Sequence, residues 1–187
     1  MLSRSRSVLA VLFSVCTFSA VASADLTHLS EGKFKIYGAA RPKIGPQLKF
    51  DGKGSVKGEQ RGDKIVFTAD LKNKLDMGER TKHAKEDFEC DKHPDAKLSV
   101  EKAAIKMPED QKVSEGEVKG DFTLHGVTKS VKVTYKAKRM GSDIAVKGNF
   151  SFKYTDFGMK PICRFGKTIC VEPDVRVTVE DVKFREK

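Results

Sequence analysis

Hydrophobic and polar residues alternate along most of this chain with a period of two. In DIAVKGNFSFKY, residues 143–154, Ile144, Val146, Gly148, Phe150, Phe152 and Tyr154 share one parity, and Ala145, Lys147, Asn149, Ser151 and Lys153 share the other. A helix gathers residues about 3.6 apart onto one face, so this spacing predicts a strand with one buried side. Ile65, Phe67, Ala69 and Leu71 alternate in the same way with Lys64, Thr68 and Asp70. So do Val118, Gly120, Phe122 and Leu124 with Lys119, Asp121, Thr123 and His125, and Val131, Val133 and Tyr135 with Lys132, Thr134 and Lys136. One-face-in alternation is the habit of antiparallel sheet. Between the last two segments, FTLHGVTKSVKV stops alternating at HGVTKS, which predicts a hairpin. Its His125 either organises that turn or touches a ligand, and Thr128 is placed to hydrogen-bond the turn backbone.

Two further segments change phase partway. The apolar set runs Leu98 and Val100, then Ala103, Ile105 and Met107 in one, and Val175, Val177 and Val179, then Val182 and Phe184 in the other. One extra residue in a strand flips every later side chain to the opposite face, so a bulge is expected in each. With weaker strands near Lys33 to Tyr37 and Leu48 to Phe50, about eight strands are expected. That number suits an all-β, closed antiparallel barrel around one small ligand. KLDMGERTKHAKEDF, residues 74–88, does not alternate and predicts a short helix or helical turn across one barrel end, while DGKGSVKGEQRGDK, residues 51–64, predicts a hairpin region.

Composition adds a destination. Arg4 and Arg6 precede an apolar run that ends at Ala22-Ser23-Ala24, the layout of a cleaved signal peptide, with cleavage expected before Asp25. The run is shorter than the ~20 residues of a membrane-spanning helix. Cys16 would invite lipid attachment, but bulky Val15 precedes it. Removing 24 of 187 residues leaves 163, enough for one domain over residues 25–187 with a sizeable core. The expected location is the periplasm, where disulfides persist. CRFGKTIC then predicts a Cys163–Cys170 bridge across a turn near Gly166-Lys167, with Arg164 facing Ile169, and leaves Cys90 as a lone thiol. The remaining 34 basic and 26 acidic residues, net +8, either attract an anionic surface such as a membrane or simply keep outward strand faces soluble. Nucleic acid is disfavoured, because no concentrated basic stripe is present.

Candidate chemistry is sparse. The chain has no G-x-S-x-G elbow, phosphate-binding glycine loop or H-E-x-x-H helix, so no catalytic residues are expected and the chain is read as a non-enzyme. The best metal set is Cys90 and His93 with His83, but a lone C-x-x-H lacks the second ligand pair of a persuasive site. Glu86, Asp87 and Glu89 read as a solvated acidic face.

Three of these segments, in order, resemble the YceI family of exported, lipocalin-like polyisoprenoid-binding proteins. FTLHGVTKSVKV is similar to that family's strand, His-Gly-Val-Thr-Lys turn and strand. LDMGERTKHAKEDFECDKHPDAKLSV is similar to its helical run, with Arg80, His83, Phe88 and Pro94 at matching positions. TDFGM, with Asp156 and Phe157, resembles its Ser/Thr-Asp-Phe-Gly. The likeness covers Lys64 to the C-terminus, and the chain departs from it with Met77 for Thr, Thr81 for Asp, His93 for Tyr and Tyr154 for Arg.

The resemblance implies an eight-stranded antiparallel barrel enclosing an apolar channel for an isoprenoid chain, a quinone or polyprenyl lipid, with no cofactor required and a homodimer compatible with the fold. Residue parity independently gives the inward wall: Phe67, Phe122, Leu124, Val133, Tyr135, Val146, Phe150, Phe152, Val177 and Val179. Burying ~300 Å2 of prenyl chain against such a wall would contribute about 7 kcal/mol at ~25 cal/mol per Å2, before association costs. The alternatives are a stress-response or redox-partner barrel filled by its own side chains, and metal binding through Cys90, His93 and His83.

Overall fold

The computed structural model describes residues 25–187. The expected signal peptide and Cys16 therefore lie outside the described residues. Strands β1 (Leu26–Ser30), β2 (Gly32–Pro42), β3 (Leu48–Arg61), β4 (Lys64–Asp70), β5 (Asp95–Glu101), β6 (Val113–Leu124), β7 (Val127–Met140), β8 (Asp143–Lys153), β9 (Cys163–Arg164), β10 (Ile169–Val171) and β11 (Asp174–Glu186) form one antiparallel sheet. Each strand from β2 to β8 pairs with the next, and β11 pairs with both β8 and β2. Those eight strands close the expected barrel, which leaves no long open edge.

The inward parity read from the sequence holds. Val131, Val133, Tyr135 and Ala137 of β7 are buried between exposed lysines and a threonine, and Phe150 and Phe152 of β8 alternate with exposed neighbours in the same way. Of the two phase changes, one is a bulge. The register of β11 against β8 shifts between Val179 and Val182, Asp181 adopts φ +61°, and Val182 and Phe184 return fully buried to the core.

The other is not a bulge. β5 ends at Glu101 and the chain makes a 3-10 turn over Lys102–Ala104, so Ala103 is exposed while Lys102 is buried. The following residues cross this end of the barrel, held by the Lys106 N–H donating to Tyr135 Oη at 2.8 Å and Ser114 Oγ donating to the Lys106 carbonyl at 2.5 Å. Backbone leaving a sheet must find new partners. Here Tyr135 and Ser114 supply them and cap the barrel.

The opposite end carries the helices. A first short helix, α1 (Leu71–Lys74), precedes the expected segment and takes Leu71, read as strand, out of the sheet; the helix expected within residues 74–88 is α2 (Thr81–Asp87). Asp70 caps α1 by accepting from Asn73 N–H at 2.8 Å, and the intervening turn pairs with β3 through reciprocal 2.8 Å bonds between Lys53 and Asp76. The β6–β7 hairpin also ends here and is tighter than the sequence suggests. Only His125 and Gly126, at φ +52° and +76°, form the loop, and Val127 already pairs with Leu124. Two successive positive φ values match the twist of a two-residue hairpin. Thr128 bonds the Thr123 hydroxyl across the strands at 2.8 Å in place of the turn backbone.

The Cys163–Cys170 bridge is present, with Arg164 opposite Ile169. The turn between them takes four residues, with φ positive at Phe165, Gly166 and Lys167. This loosening lets the two cysteines sit at a non-hydrogen-bonded pair, because Val171 N–H bonds the Ile162 carbonyl one position further on. β10 pairs with β2, which sets the bridged hairpin beside the helical end. At the capped end, β1 pairs with the last residues of β11, and Lys187 N–H donates to the Asp25 carbonyl at 2.9 Å.

Candidate functional site

Three adjoining spaces, each sharing lining residues with the next, run from the helical end into the barrel. The outermost is a mouth of about 430 Å3 between α2, the start of β3 and the bridged hairpin. It shares Ile36 and Phe88 with a middle chamber of about 60 Å3, which shares Phe67, Leu98, Phe150 and Val179 with a deep chamber of about 30 Å3. Every one of the ten wall positions read from parity lines an inner chamber. Phe67, Phe122, Leu124, Phe150, Phe152, Val177 and Val179 face the middle one, and Val133, Tyr135 and Val146 the deep one.

The inner space is narrower than a uniform channel because aromatic rings occupy it. Phe122 packs against Phe150, Phe152 and Phe157 at centroid distances of 4.9, 5.0 and 5.4 Å. Edge-to-face and tilted packing of this kind adds about 0.5–1.5 kcal/mol per pair beyond area burial. The wall is therefore firm, and of these three spaces the mouth has the most free volume.

Most of the charged lining residues sit at the rim; Lys147, ion-paired with Asp181, is the exception beside the deep chamber. Arg80, His83, Asp87 and Arg164 line the mouth among apolar neighbours that include Ile36, Met77, Phe88 and Ile162. Arg164 donates to Asp87 at 2.7 Å, clasping the bridged hairpin to α2, and this hydrogen bond raises the guanidinium pKa further. Asp87, expected on a solvated face, is thus tied across the opening. His83 lies 3.3 Å from Glu86 on the exposed side of α2. Of the remaining motif residues, Phe157 is buried in the phenylalanine cluster, and Asp156 is exposed in the 3-10 turn Tyr154–Phe157.

Tyr154 is a structural anchor that sequence reading did not single out as part of the site. Its ring is buried against the mouth, and its hydroxyl accepts from Ile162 N–H and donates to the Val171 carbonyl, both at 3.1 Å. The hydroxyl thereby fastens both legs of the bridged hairpin. The one signal in the sequence was the departure from Arg at this position.

The alternative metal set of Cys90, His93 and His83 is not assembled. Cys90 is buried in the apolar core, where desolvation pushes its thiol pKa up, and His83 pairs with Glu86 on the helix surface. His93 meets different partners. Its ring lies 4.6 Å, centroid to centroid, from His125, and His125 Nε2 is 3.7 Å from Glu89 Oε2. Lys92 donates to the same Glu89 oxygen at 2.8 Å and holds that carboxyl below its ordinary range.

The profile of the YceI-like domain matches residues 15–182. A polyisoprenoid binding domain from Saccharophagus degradans, implicated in plant cell wall breakdown, superposes with a TM-score of 0.64 at 14% identity, covering 86% of this chain and 100% of that one. BcnA of Burkholderia cenocepacia gives 0.54 at 14% identity, over 82% and 96% of the two chains. The YCEI protein of Campylobacter jejuni gives 0.50 at 14% identity, over 100% and 94%. At these identities the likeness establishes the fold. No protein of curated function matches the sequence.

Proposed function

The chain belongs to the YceI-like family, and from that premise we propose that it is an exported, non-enzymatic protein that binds and carries a long-chain isoprenoid lipid of quinone or polyprenyl type. The observation that carries this reading is the gradient of the cavity. The broad mouth is lined by Arg80, His83, Asp87 and Arg164, whereas the two inner chambers behind it are walled almost wholly by aliphatic and aromatic groups, the one charged residue beside them being Lys147, whose largely exposed side chain is ion-paired with Asp181. A lipid would place its polar end near Arg80, His83 and Arg164 and lead its tail past Ile36 and Phe88. Hydrophobic transfer supplies the affinity, so no nucleophile or metal is needed. Export to the periplasm rests on the signal-like pattern of residues 1–24.

The rim also suits an anionic bilayer as the source of the lipid. Ile44 is 92% exposed and Phe165 80% exposed, and their loops are joined by the Lys43 N–H bond to the Thr168 carbonyl at 2.9 Å. Lys43, Lys49 and Lys167 lie in or beside these loops and form no ion pair among the described residues. Apolar tips flanked by unpaired lysines favour shallow insertion into acidic lipid.

One observation favours a second reading. The small inner volumes fit a barrel largely filled by its own side chains, with any ligand held at the mouth alone.

The test is native mass spectrometry and organic extraction of protein purified from its host without detergent, followed by titration of stripped protein with prenyl alcohols of increasing length. Carriage predicts a co-purified chain lipid, affinity that rises with several added isoprene units, and at least tenfold weaker binding of long chains by Val177→Phe. No co-purified lipid together with no binding of any prenyl chain overturns the proposal. Affinity that stops rising at the shortest chains selects the second reading.

A further inference from the structure

The helical end of the barrel contains a feature that lipid carriage does not use. Among the described residues, Glu89, His93 and His125 form the one group of three metal-ligating side chains whose donor atoms all lie within 4.8 Å of one another. They come from two separate turns: Glu89 and His93 follow α2, and His125 is in the β6–β7 hairpin.

Both turns hold their side chains by backbone geometry. Glu89 and His125 are non-glycine residues at φ +48° and +52°, a region that costs of order 1 kcal/mol or more for such residues and concentrates at functional sites. The His93 N–H donates to the Glu89 carbonyl at 2.9 Å, which fixes the two ligands of the first turn relative to each other. Gly126 admits the His93 ring, since a Cβ at that position would lie 3.0 Å from His93 Cε1. The three residues are half-buried, so an ion could enter from solvent and still be partly sheltered.

We propose that Glu89, His93 and His125 bind one divalent transition-metal ion, with Zn2+ the best match and Cu2+ the runner-up. Two imidazole nitrogens and one carboxylate oxygen form a borderline ligand set that suits these ions and not Ca2+ or Mg2+. Bonds of about 2.0–2.1 Å in tetrahedral geometry put donor atoms roughly 3.3 Å apart. The 3.7 Å from His125 Nε2 to Glu89 Oε2 is already near that spacing, and rotation of the His93 ring completes the set. Lys92 must release the shared carboxylate oxygen or leave the metal to the other one. The fourth position stays open to water. The ion would staple the turn after α2 to the β6–β7 hairpin, which also steadies one side of the lipid mouth, though the site stands or falls independently of what the barrel carries.

The experiment is isothermal titration of tag-free, chelator-treated full-length protein with ZnCl2, with Cu2+ electron paramagnetic resonance as a second readout. One ion per chain is expected, bound with a micromolar or tighter Kd, and the Cu2+ spectrum should show hyperfine coupling to two imidazole nitrogens. His93→Tyr, His125→Asn and Glu89→Gln should each weaken binding at least tenfold while circular dichroism shows the fold retained. Tyr keeps the aromatic contact and Asn tolerates the positive φ. His83→Ala and Cys90→Ala should leave binding unchanged. The proposal is overturned if 100 μM Zn2+ produces no saturable binding, or if binding survives His93→Tyr but is lost in His83→Ala.

Discussion

The two ends of the barrel solve the same problem by opposite means. At one end the chain after β5 folds over the opening, and Tyr135 and Ser114 satisfy the backbone of Lys106 from inside. At the other, separate pieces meet around a gap: α2 and the bridged hairpin are joined by Asp87 to Arg164, and the hairpin backbone is held to the barrel by the Tyr154 hydroxyl. The capped end is built into the hydrophobic core, whereas the mouth is assembled from peripheral parts whose contacts are few and polar. Local opening should therefore be cheap at the mouth and nearly as costly as global unfolding at the cap.

Truncating a phenylalanine at each end should give the largest contrast. Phe184 is fully buried and packs edge-on against Phe67 at 6.1 Å, so Phe184→Ala should cost about 3–5 kcal/mol in urea unfolding. Phe165→Ala, at the exposed rim, should change stability by no more than about 0.5 kcal/mol. Equal losses would erase the distinction between the ends. Removing the bridge with Cys163→Ser and Cys170→Ser should cost about 2–3 kcal/mol by the chain-entropy account for a loop this short. Hydrogen exchange should then rise over residues 161–172 and stay unchanged in β6 and β7.

Tyr154→Phe removes both hydroxyl bonds to the hairpin and should cost about 1–2 kcal/mol, with weaker retention of any ligand at the mouth. Phe165→Ser should leave stability alone and reduce co-sedimentation with vesicles rich in phosphatidylglycerol severalfold, an effect absent with neutral vesicles. Unchanged sedimentation would remove the docking role given to the rim.

The smallest effect is expected from acid. At the capped end Asp143 accepts from Arg185 at 2.7 and 3.1 Å, and this bond holds its carboxyl below the ordinary range. The stabilisation is present above the usual aspartate value near pH 4 and is lost as pH falls through the depressed one. Asp143→Asn should thus alter the melting curve slightly at neutral pH and lose its difference from the unmodified protein in strong acid.

How much of this was legible depended on whether a residue announced its surroundings. The inward walls of β6, β7 and β8 were readable because large side chains alternate with lysines. β3 was not, because three of its inward positions are Gly52, Gly54 and Gly58, leaving Val56 as the one buried apolar side chain among them, and the apolar groups filling that space belong to Met77, Phe34 and Phe184 from elsewhere in the chain. Only its first residues looked like strand, although it runs to Arg61. The phase change after Val100 resembled the one after Val179, yet one is a turn and the other a bulge, a choice made by what waits across the barrel end. Pairs such as Asp87 with Arg164 and His93 with His125 join residues far apart in sequence. No local pattern marks them, and proximity in sequence had suggested Cys90 and His83 as partners for His93.

Asp25 and Lys187 lie side by side at the capped end, hydrogen-bonded to each other and across the barrel from the helices. A reporter, an immobilisation handle or a partner domain attached at either residue would sit behind the vessel, leaving its opening unobstructed. For residues 25–187 taken alone, joining the two with a short linker and cutting a surface loop elsewhere would give a circularly permuted barrel with the same interior.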